Sequence, residues 1–479
     1  MTKGLPLLER RNPAPQPGIV HLGLGAFFRS FGVLVIDCLA KSQGGDWGII
    51  GVSLQSSRTR DALAPQDNMY TAVSKGAGGE NSRLISVLSE VVFAQEAPGE
   101  LLDRMSKPAI KIVTLTVTEK GYCHVPSTGQ LSFDHPDVRA DILDTFPRSA
   151  VGYLVRALAQ RWAAGIPPFT ILSCDNLPNN GQVARNVVLS LAEAIDPNLA
   201  KWIAEEGCFP STMVDRIVPA TTSVDIERQA ERAGVLDRAP VFHEPFIQWV
   251  IEDNFVDGAR PDFSEFPGVQ LVSDVAPFEE MKIRMLNGTH STLAYLGYLA
   301  GYDTISETVT DHVFGKFLFN LWSNEIIPTI VPPIGVDLAQ YARDLLQRYA
   351  NPAIQHRTSQ IAMDGSQKLP QRILGTLSDN LNLGHECRGL MLGVAAWMRY
   401  VGGIDEKGLP IDVKDPLAQQ LRILSDKSND PWNKAQNLMS CDAVFGGIGL
   451  SEKGREGIAT AYMSLSEDGA QAAVAKLVS

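Results

Sequence analysis

The run PFEEMKIRMLNGTHSTLAYLGYL, residues 277 to 299, sets a primary amine, a carboxamide and an imidazole close together as Lys282, Asn287 and His290. An amine can exchange a proton with a carbinol, an amide can donate to the oxygen left behind, and an imidazole can hold a neighbouring hydroxyl or carbonyl. At about 100° per residue on an α-helix, these three and Glu279 project within an arc of roughly 140° and can converge on one small ligand. Ile283 and Leu286 share that face. Polar groups among apolar ones need hydrogen-bonding partners, because burying them unpaired costs free energy. A substrate carbinol would supply one; a solvated helix is the other reading of the same spacing.

The elements that must carry these residues follow from periodicity. From about residue 277 onward, long amphipathic segments at 279 to 300, 305 to 325, 335 to 350 and 386 to 402 predict a mainly helical half. Before it, continuous apolar runs alternate with helix-length segments. The strand candidates are GIVHL before HLGLGAF, DWGIIGVSL (46 to 54), AIKIVTLTVT (109 to 118), FTILSC (169 to 174) and VQLVSDV near 275. Apolar strands alternating with helices predict a parallel sheet covered on both faces, a Rossmann-like α/β domain. The expected boundary lies at 276, giving a dinucleotide-binding domain over 1 to 276 and a helical catalytic and substrate domain over 277 to 479.

A chain of 479 residues exceeds what one core usually supports, so two domains are expected. With 44% hydrophobic and 20% charged residues and no apolar run near the ~20 residues of a membrane span, it reads as soluble, globular and cytoplasmic, with no secretory signal. A net charge of -12 argues against a nucleic-acid surface and leaves room for a local cationic pocket. Cys38, Cys123, Cys174, Cys208, Cys387 and Cys441 stand singly, as expected of free thiols, and neither they nor the eight histidines show zinc-site spacing. No metal is expected.

Gly23 and Gly25 in HLGLGAFFR stand where a dinucleotide fold needs one glycine for a tight turn and another for close approach of pyrophosphate. Phe28 occupies the third glycine position. Phe27 and Arg29, in the same turn, are candidate cofactor-binding residues. After the second strand the chain reads QSSRTRD: Asp61 is the acid available to the adenosine ribose, while Arg58 and Arg60 leave a 2′-phosphate open. Thr116 and Thr118, at the tip of the third strand candidate, are expected beside the nicotinamide. The cofactor is taken as NAD, with NADP an alternative.

Together these residues resemble the polyol-specific long-chain dehydrogenases, the mannitol dehydrogenase family. The family's lysine, asparagine five on and histidine three further are complete in KIRMLNGTH. TVTEKGYC, SCDNLPNNG, MVDRIVPAT, EPFIQWVIEDNF and IAMDGSQKLPQR extend the likeness over nearly the whole chain. TVTEKGYC, QWVIEDNFV, HRTSQIAMDGSQKLPQR and GVAAWMRY look closest to the fructuronate reductase (D-mannonate oxidoreductase) branch. Two departures stand out. Gln360 replaces an arginine expected eight positions before Lys368 in the mannitol branch, and Phe28 and Phe31 replace two histidines beside the retained Arg29.

The resemblance implies a metal-independent, NAD-dependent secondary-alcohol dehydrogenase interconverting D-fructuronate and D-mannonate in hexuronate breakdown. Lys282 is implied as general acid/base, Asn176 and Asn287 as donors to the reacting oxygen, His290 as a substrate-orienting group and Glu279 as a proton relay. Asn180 is the reserve for Asn176. Asp215 and Lys368 are implied substrate contacts, with Arg357 and Arg372 sharing the carboxylate. An ion pair with Lys282 is the structural alternative for Glu279, and a buried pair with Arg216 that for Asp215. A mannitol 2-dehydrogenase or other polyol dehydrogenase is the rival reading, and a non-catalytic nucleotide-binding protein a further one. The expected partner is a small sugar acid or polyol, with no nucleic acid or membrane, in a monomer or small homo-oligomer.

Overall fold

In a computed structural model, which describes residues 4–76, 78–125 and 128–479, four apolar runs of the N-terminal half become strands of one sheet, while VQLVSDV supplies Val269–Val272 to another. The order is Leu88–Phe93, Gly48–Ser53, Pro17–Leu22, Ile112–Leu115, Thr170–Ser173, and every pairing is parallel. Side-chain alternation divides the core between the two faces. Val20, Leu22, Ile50, Val52, Val113, Leu115 and Ile171 enter one buried cluster; Ile19, Ile49, Ile112 and Leu172 enter the other. Both faces are covered, as continuous apolar strands require.

The chain winds outward from Pro17–Leu22 to one edge, then returns to lay Ile112–Leu115 and Thr170–Ser173 on the other side. The winding therefore reverses between Pro17–Leu22 and Ile112–Leu115. In open α/β sheets a crevice for ligands opens at that reversal, beyond the carboxyl ends of the strands. Leu88–Phe93 was not among the sequence candidates. It is an edge strand, and its burial alternates irregularly because Ser89 and Glu90 lie toward solvent. Three smaller sheets complete this part among the described residues: the antiparallel hairpin Tyr70–Gly76 and Gly79–Ile85 with Val241–His243, Thr212–Asp215 with Gln248–Glu252 and Val269–Val272, and the short pair His124–Val125 with Gln130–Leu131.

The chain divides into two compact units, Met1–Ala276 and Pro277–Ser479. The second is helical. Its central helix, Thr289–Leu299, is buried at every position except Tyr298 and packs on Arg388–Val401, as a helix apolar on all sides must. All six cysteines are free thiols. Among the described residues, no helix is long and apolar enough to cross a membrane.

Candidate active site

The glycine turn closes on the strand that follows in space. Gly23 has φ +93°, and a Cβ there would lie 2.2 Å from the Thr116 carbonyl oxygen; only glycine fits both the backbone and the space. Gly23 and Leu24 each donate their N–H to the Val52 carbonyl, at 2.9 and 3.0 Å. Gly25 is exposed, and a Cβ there would meet nothing nearer than 3.8 Å. Its open face fits the close approach of a pyrophosphate, so the residues of this turn suit a dinucleotide.

Thr116 has its hydroxyl engaged in the turn: it donates to the Gly23 carbonyl at 2.9 Å and accepts from His21 Nε2 at 2.9 Å. That assigns the His21 proton to Nε2, so Nδ1 accepts from the Thr114 hydroxyl at 2.8 Å. Burial lowers the His21 pKa to about 3, leaving the ring neutral. Phe28 stacks on this imidazole, centroids 3.6 Å apart and 7° from parallel. Phe31 packs on Phe27 at 5.1 Å and Trp249 at 5.2 Å. Phe28 and Phe31 are fully buried, so these departures from the family pattern fill the core and do not line an entrance. Arg29 is likewise interior, its Nη1 donating to the Ala239 carbonyl at 2.6 Å.

In the short helix Arg58–Leu63 after the second strand, Asp61 is exposed and accepts from Ser57 Oγ at 2.7 Å and Arg60 Nε at 2.6 Å. Arg60 also grips Glu96 with both terminal nitrogens, at 2.6 and 2.8 Å. Arg60 is therefore committed to carboxylates within the protein.

Beyond the Thr170–Ser173 strand, the Asp175 carboxylate accepts from the N–H groups of Val117 and Thr118, at 3.0 and 2.8 Å, and from the Tyr122 hydroxyl at 2.8 Å. Burial raises its pKa. The clamp holds Thr118 at φ +62°, a backbone region that β-branched residues rarely occupy. Asn180 is fully buried and bonded at both ends: its amide donates to the carbonyls of Asp175 and Thr212, at 3.0 and 2.8 Å, and its oxygen accepts from Thr212 N–H at 2.9 Å. Asn176, four residues earlier in the same loop, is exposed. The reserve candidate is thus a structural amide. Asp215 is buried at the end of its strand, and Arg216 Nε donates to the Phe246 carbonyl at 2.8 Å.

In the second unit the α-helical spacing expected around Lys282 does not hold. Residues Lys282–Gly288 form a π-helix, between Ala276–Met281 and Thr289–Leu299. Hydrogen bonds from i to i+5 widen the turn to about 4.4 residues, so Lys282 and Asn287 project about 50° apart instead of ~140°. Side chains from elsewhere satisfy the carbonyls that the wider turn exposes. Trp322 Nε1 donates to the Met285 carbonyl at 2.9 Å, as does the Thr289 hydroxyl at 2.6 Å, and the Tyr349 hydroxyl donates to the Leu286 carbonyl at 2.7 Å. Gly288 allows the approach of a second π segment, Pro370–Leu374: a Cβ on Gly288 would lie 2.5 Å from the Arg372 carbonyl oxygen. Lys282, Asn287 and His290 are all buried, each retaining 7 or 8% exposure. Glu279 is half-buried.

His290 lies between two rings absent from the sequence candidates. Tyr349 stacks on it at 5.2 Å and His356 meets it at 4.8 Å between centroids. Burial comes first in holding the His290 pKa well below its ordinary value; His356, Arg372, Arg348 and Lys368 add to it. Arg372 Nη1 donates to Ser291 Oγ at 3.1 Å, and Lys368 Nζ to the Met363 carbonyl at 2.5 Å. Arg357 is exposed, and the histidine before it faces His290 instead. Tyr349 closes an amphipathic helix and reads in sequence as core; the adjacent pair His356 and Arg357 was the available signal for His356. Among the described residues, no cluster of three or more His, Cys, Asp or Glu is placed to hold a metal ion.

Comparison with known proteins follows this division. Residues 17–265 match the mannitol dehydrogenase Rossmann domain and residues 274–466 the mannitol dehydrogenase C-terminal domain. The chain is 47% identical to the uncharacterized oxidoreductase YdfI of Escherichia coli, over 98% of this chain and 97% of that one. It is 45% identical to the D-mannonate oxidoreductase of Escherichia coli, over 96% and 95%. Among solved structures, the Pseudomonas fluorescens mannitol 2-dehydrogenase ternary complex with NAD and D-mannitol superposes with a TM-score of 0.86 at 36% identity, covering 97% of this chain and 94% of that one.

Proposed function

The chain belongs to the mannitol dehydrogenase family of oxidoreductases, and from that premise we propose that it interconverts D-fructuronate and D-mannonate with NAD. The observation that carries the choice of a sugar acid is the field around His290: Arg372, Arg348 and Lys368 are all basic. A hexuronate carboxylate matches that field, and a neutral polyol has no charge with which to use it. The 45% identity to a D-mannonate oxidoreductase supports the same choice.

The bound dinucleotide supplies the hydride acceptor for oxidation and the donor for reduction. Gly23 and Gly25 admit its pyrophosphate, with Phe27, Asp61, Thr116, Thr118 and the interior Arg29 shaping the surrounding strand ends. Lys282 takes the carbinol proton in oxidation and returns it in reduction. For that it must shed its own proton near neutral pH, which burial favours. Asn287, one wide turn on, donates to the same oxygen together with Asn176. Each such donor is worth roughly 3 kcal/mol in the transition state. His290, buried and neutral, orients the neighbouring substrate oxygen, and half-buried Glu279 relays the proton to water. Lys368 and Arg372 hold the carboxylate, with Asp215 and exposed Arg357 as further substrate contacts.

A neutral polyol is the second reading, supported by the likeness to mannitol 2-dehydrogenase. The test is the initial rate of NADH oxidation, with NADPH in parallel, on D-fructuronate, D-tagaturonate and D-fructose, with and without EDTA. The expected result is a preference of at least about a hundredfold for fructuronate, consistent with a well-placed charged contact of 2 to 3 kcal/mol, and insensitivity to EDTA. Preference for fructose would move the protein to the polyol reading.

A further inference from the structure

We propose that His356 is a specificity-determining residue, donating a hydrogen bond from Nδ1 to the terminal carboxylate of a sugar acid held beside His290. The proposal rests on the sugar-acid reading and deepens it, because nothing above gives His356 a part in that reading.

Two buried imidazole nitrogens carry the inference. His356 Nδ1 and His290 Nε2 are each cut off from solvent and have no hydrogen-bond partner among the described residues. Buried polar atoms in native proteins are nearly always paired, and clustered exceptions call for a bound partner or a functional reason. These two belong to rings only 4.8 Å apart and inclined at 56°, within reach of one ligand group. Core packing alone would give the rings an aliphatic neighbour at no polar cost.

The main chain fixes His356 in place. Its carbonyl accepts from Ile305 N–H at 3.0 Å, and its own N–H donates to the Ile354 carbonyl at 2.9 Å. Arg357 bridges Thr304, and Thr358 ties the segment to Asp303 through its N–H at 3.0 Å and to Tyr302 through its hydroxyl at 3.0 Å. The segment bearing His356 is therefore stapled to the chain just beyond the buried Thr289–Leu299 helix, on which His290 stands. Burial lowers the His356 pKa to about 4, so the ring is neutral in ordinary buffers and carries one N–H.

Hydrogen-bond chemistry then discriminates between ligands. A carboxylate only accepts, so it selects the tautomer with the proton on Nδ1; a hydroxyl can accept or donate and selects neither. The basic groups around His290 favour the anion. An aspartate at this position would reverse the preference, repelling a carboxylate while still accepting from a hydroxyl.

The experiment compares kcat and KM for D-fructuronate and D-fructose, with NADH, in the wild-type protein and in His356→Asp, His356→Asn and His356→Phe, each checked for cofactor binding by NADH fluorescence. His356→Asp is expected to lower kcat/KM on fructuronate by on the order of 100-fold, mainly through KM, while leaving fructose within about threefold. His356→Asn keeps an N–H donor and should hold fructuronate within about tenfold; His356→Phe should lose on the order of 100-fold on that substrate alone. If the aspartate variant does not fold, the asparagine and phenylalanine variants decide by the same contrast. Equal losses on both substrates, or no loss on fructuronate, would overturn the role of His356 while leaving the sugar-acid reading intact. A wild-type protein that prefers fructose would overturn that reading and the proposal with it.

Discussion

His21 in the first unit and the pair His290 and His356 in the second are treated in opposite ways. In the first unit both nitrogens of His21 are bonded to threonine hydroxyls, and Phe28 covers its face. Asn180 and Asp175 are similarly filled by bonds from within the unit. In the second unit His290 Nε2 and His356 Nδ1 are left without partners. Burial keeps all three rings neutral, so burial and protonation state do not distinguish scaffold from site. Clustering of open nitrogens does: those of His290 and His356 belong to rings 4.8 Å apart, whereas His124 Nδ1, Arg29 Nε and Ser53 Oγ of the first unit are among the atoms there that also lack a partner among the described residues. A dinucleotide can be held largely by backbone and turn geometry, which permits side chains to be consumed in building the turn. Proton transfer and substrate orientation need side-chain atoms held in reserve.

Replacing Lys282 by alanine tests the proposed chemistry of the second unit most strongly. Turnover should fall by about a thousandfold, within the usual range for removing a general acid/base, with NADH binding by fluorescence titration unchanged. Activity within tenfold of wild type would remove Lys282 from the chemistry. Next in size is Gly23→Ala on the scaffold side. The added Cβ meets the Thr116 carbonyl at a residue with φ +93°, and the turn should open enough to weaken NADH binding by on the order of 100-fold or to destabilise the protein by about 3 kcal/mol. Wild-type NADH affinity and stability would contradict the tight-turn account.

A smaller effect follows from His21. Its folded pKa of about 3 lies below the unfolded value of 6.5, so as pH falls through 6.5 the unfolded chain takes up a proton that the folded chain refuses. Stability is therefore greatest above pH 6.5 and declines toward pH 3, with about 2 kcal/mol lost from this ring between pH 7 and 5. Urea denaturation at the two pH values should show the loss, and His21→Leu should remove that part of the slope; an unchanged slope would show that His21 is not the source. The smallest expected change is Tyr349→Phe. It deletes the donor to the Leu286 carbonyl but keeps the ring against His290, and should cost about 1 kcal/mol of stability and slow turnover severalfold while the KM for NADH holds. Unaltered turnover would separate the width of the Lys282–Gly288 turn from this hydroxyl.

The sheet was legible where strands are buried on both faces. Pro17–Leu22, Gly48–Ser53, Ile112–Leu115 and Thr170–Ser173 read as apolar runs because neither face meets water. Leu88–Phe93 and the hairpin at Tyr70–Gly76 and Gly79–Ile85 did not, since edge positions and partly solvated faces admit Ser89, Glu90, Lys75, Glu80 and Arg83. The spacing of Lys282, Asn287 and His290 marked them as candidates, and all three are buried. The π-helix beneath them was not legible, because KIRMLNG contains no breaker, and the donors that serve its carbonyls come from Trp322 and Tyr349, far along the chain. For the same reason, sequence spacing left Asn176 and Asn180 open. Its bonds to Asp175 and Thr212 identify Asn180 as structural.

The wide turn at Lys282–Gly288 also sets the permitted kinds of change at this site. A π segment holds more residues per turn than the helices on either side, so it behaves as an insertion that was never looped out. Point substitutions leave the residue count intact. Loss of one residue among Ile283–Leu286 would let an ordinary α ladder run through from Ala276 to Leu299 and rotate Lys282 by about 100° relative to His290. Side chains around Lys282 and Asn287 can thus be exchanged while the length of the segment stays fixed, as the pitch of a screw fixes the angle between two marks on its thread.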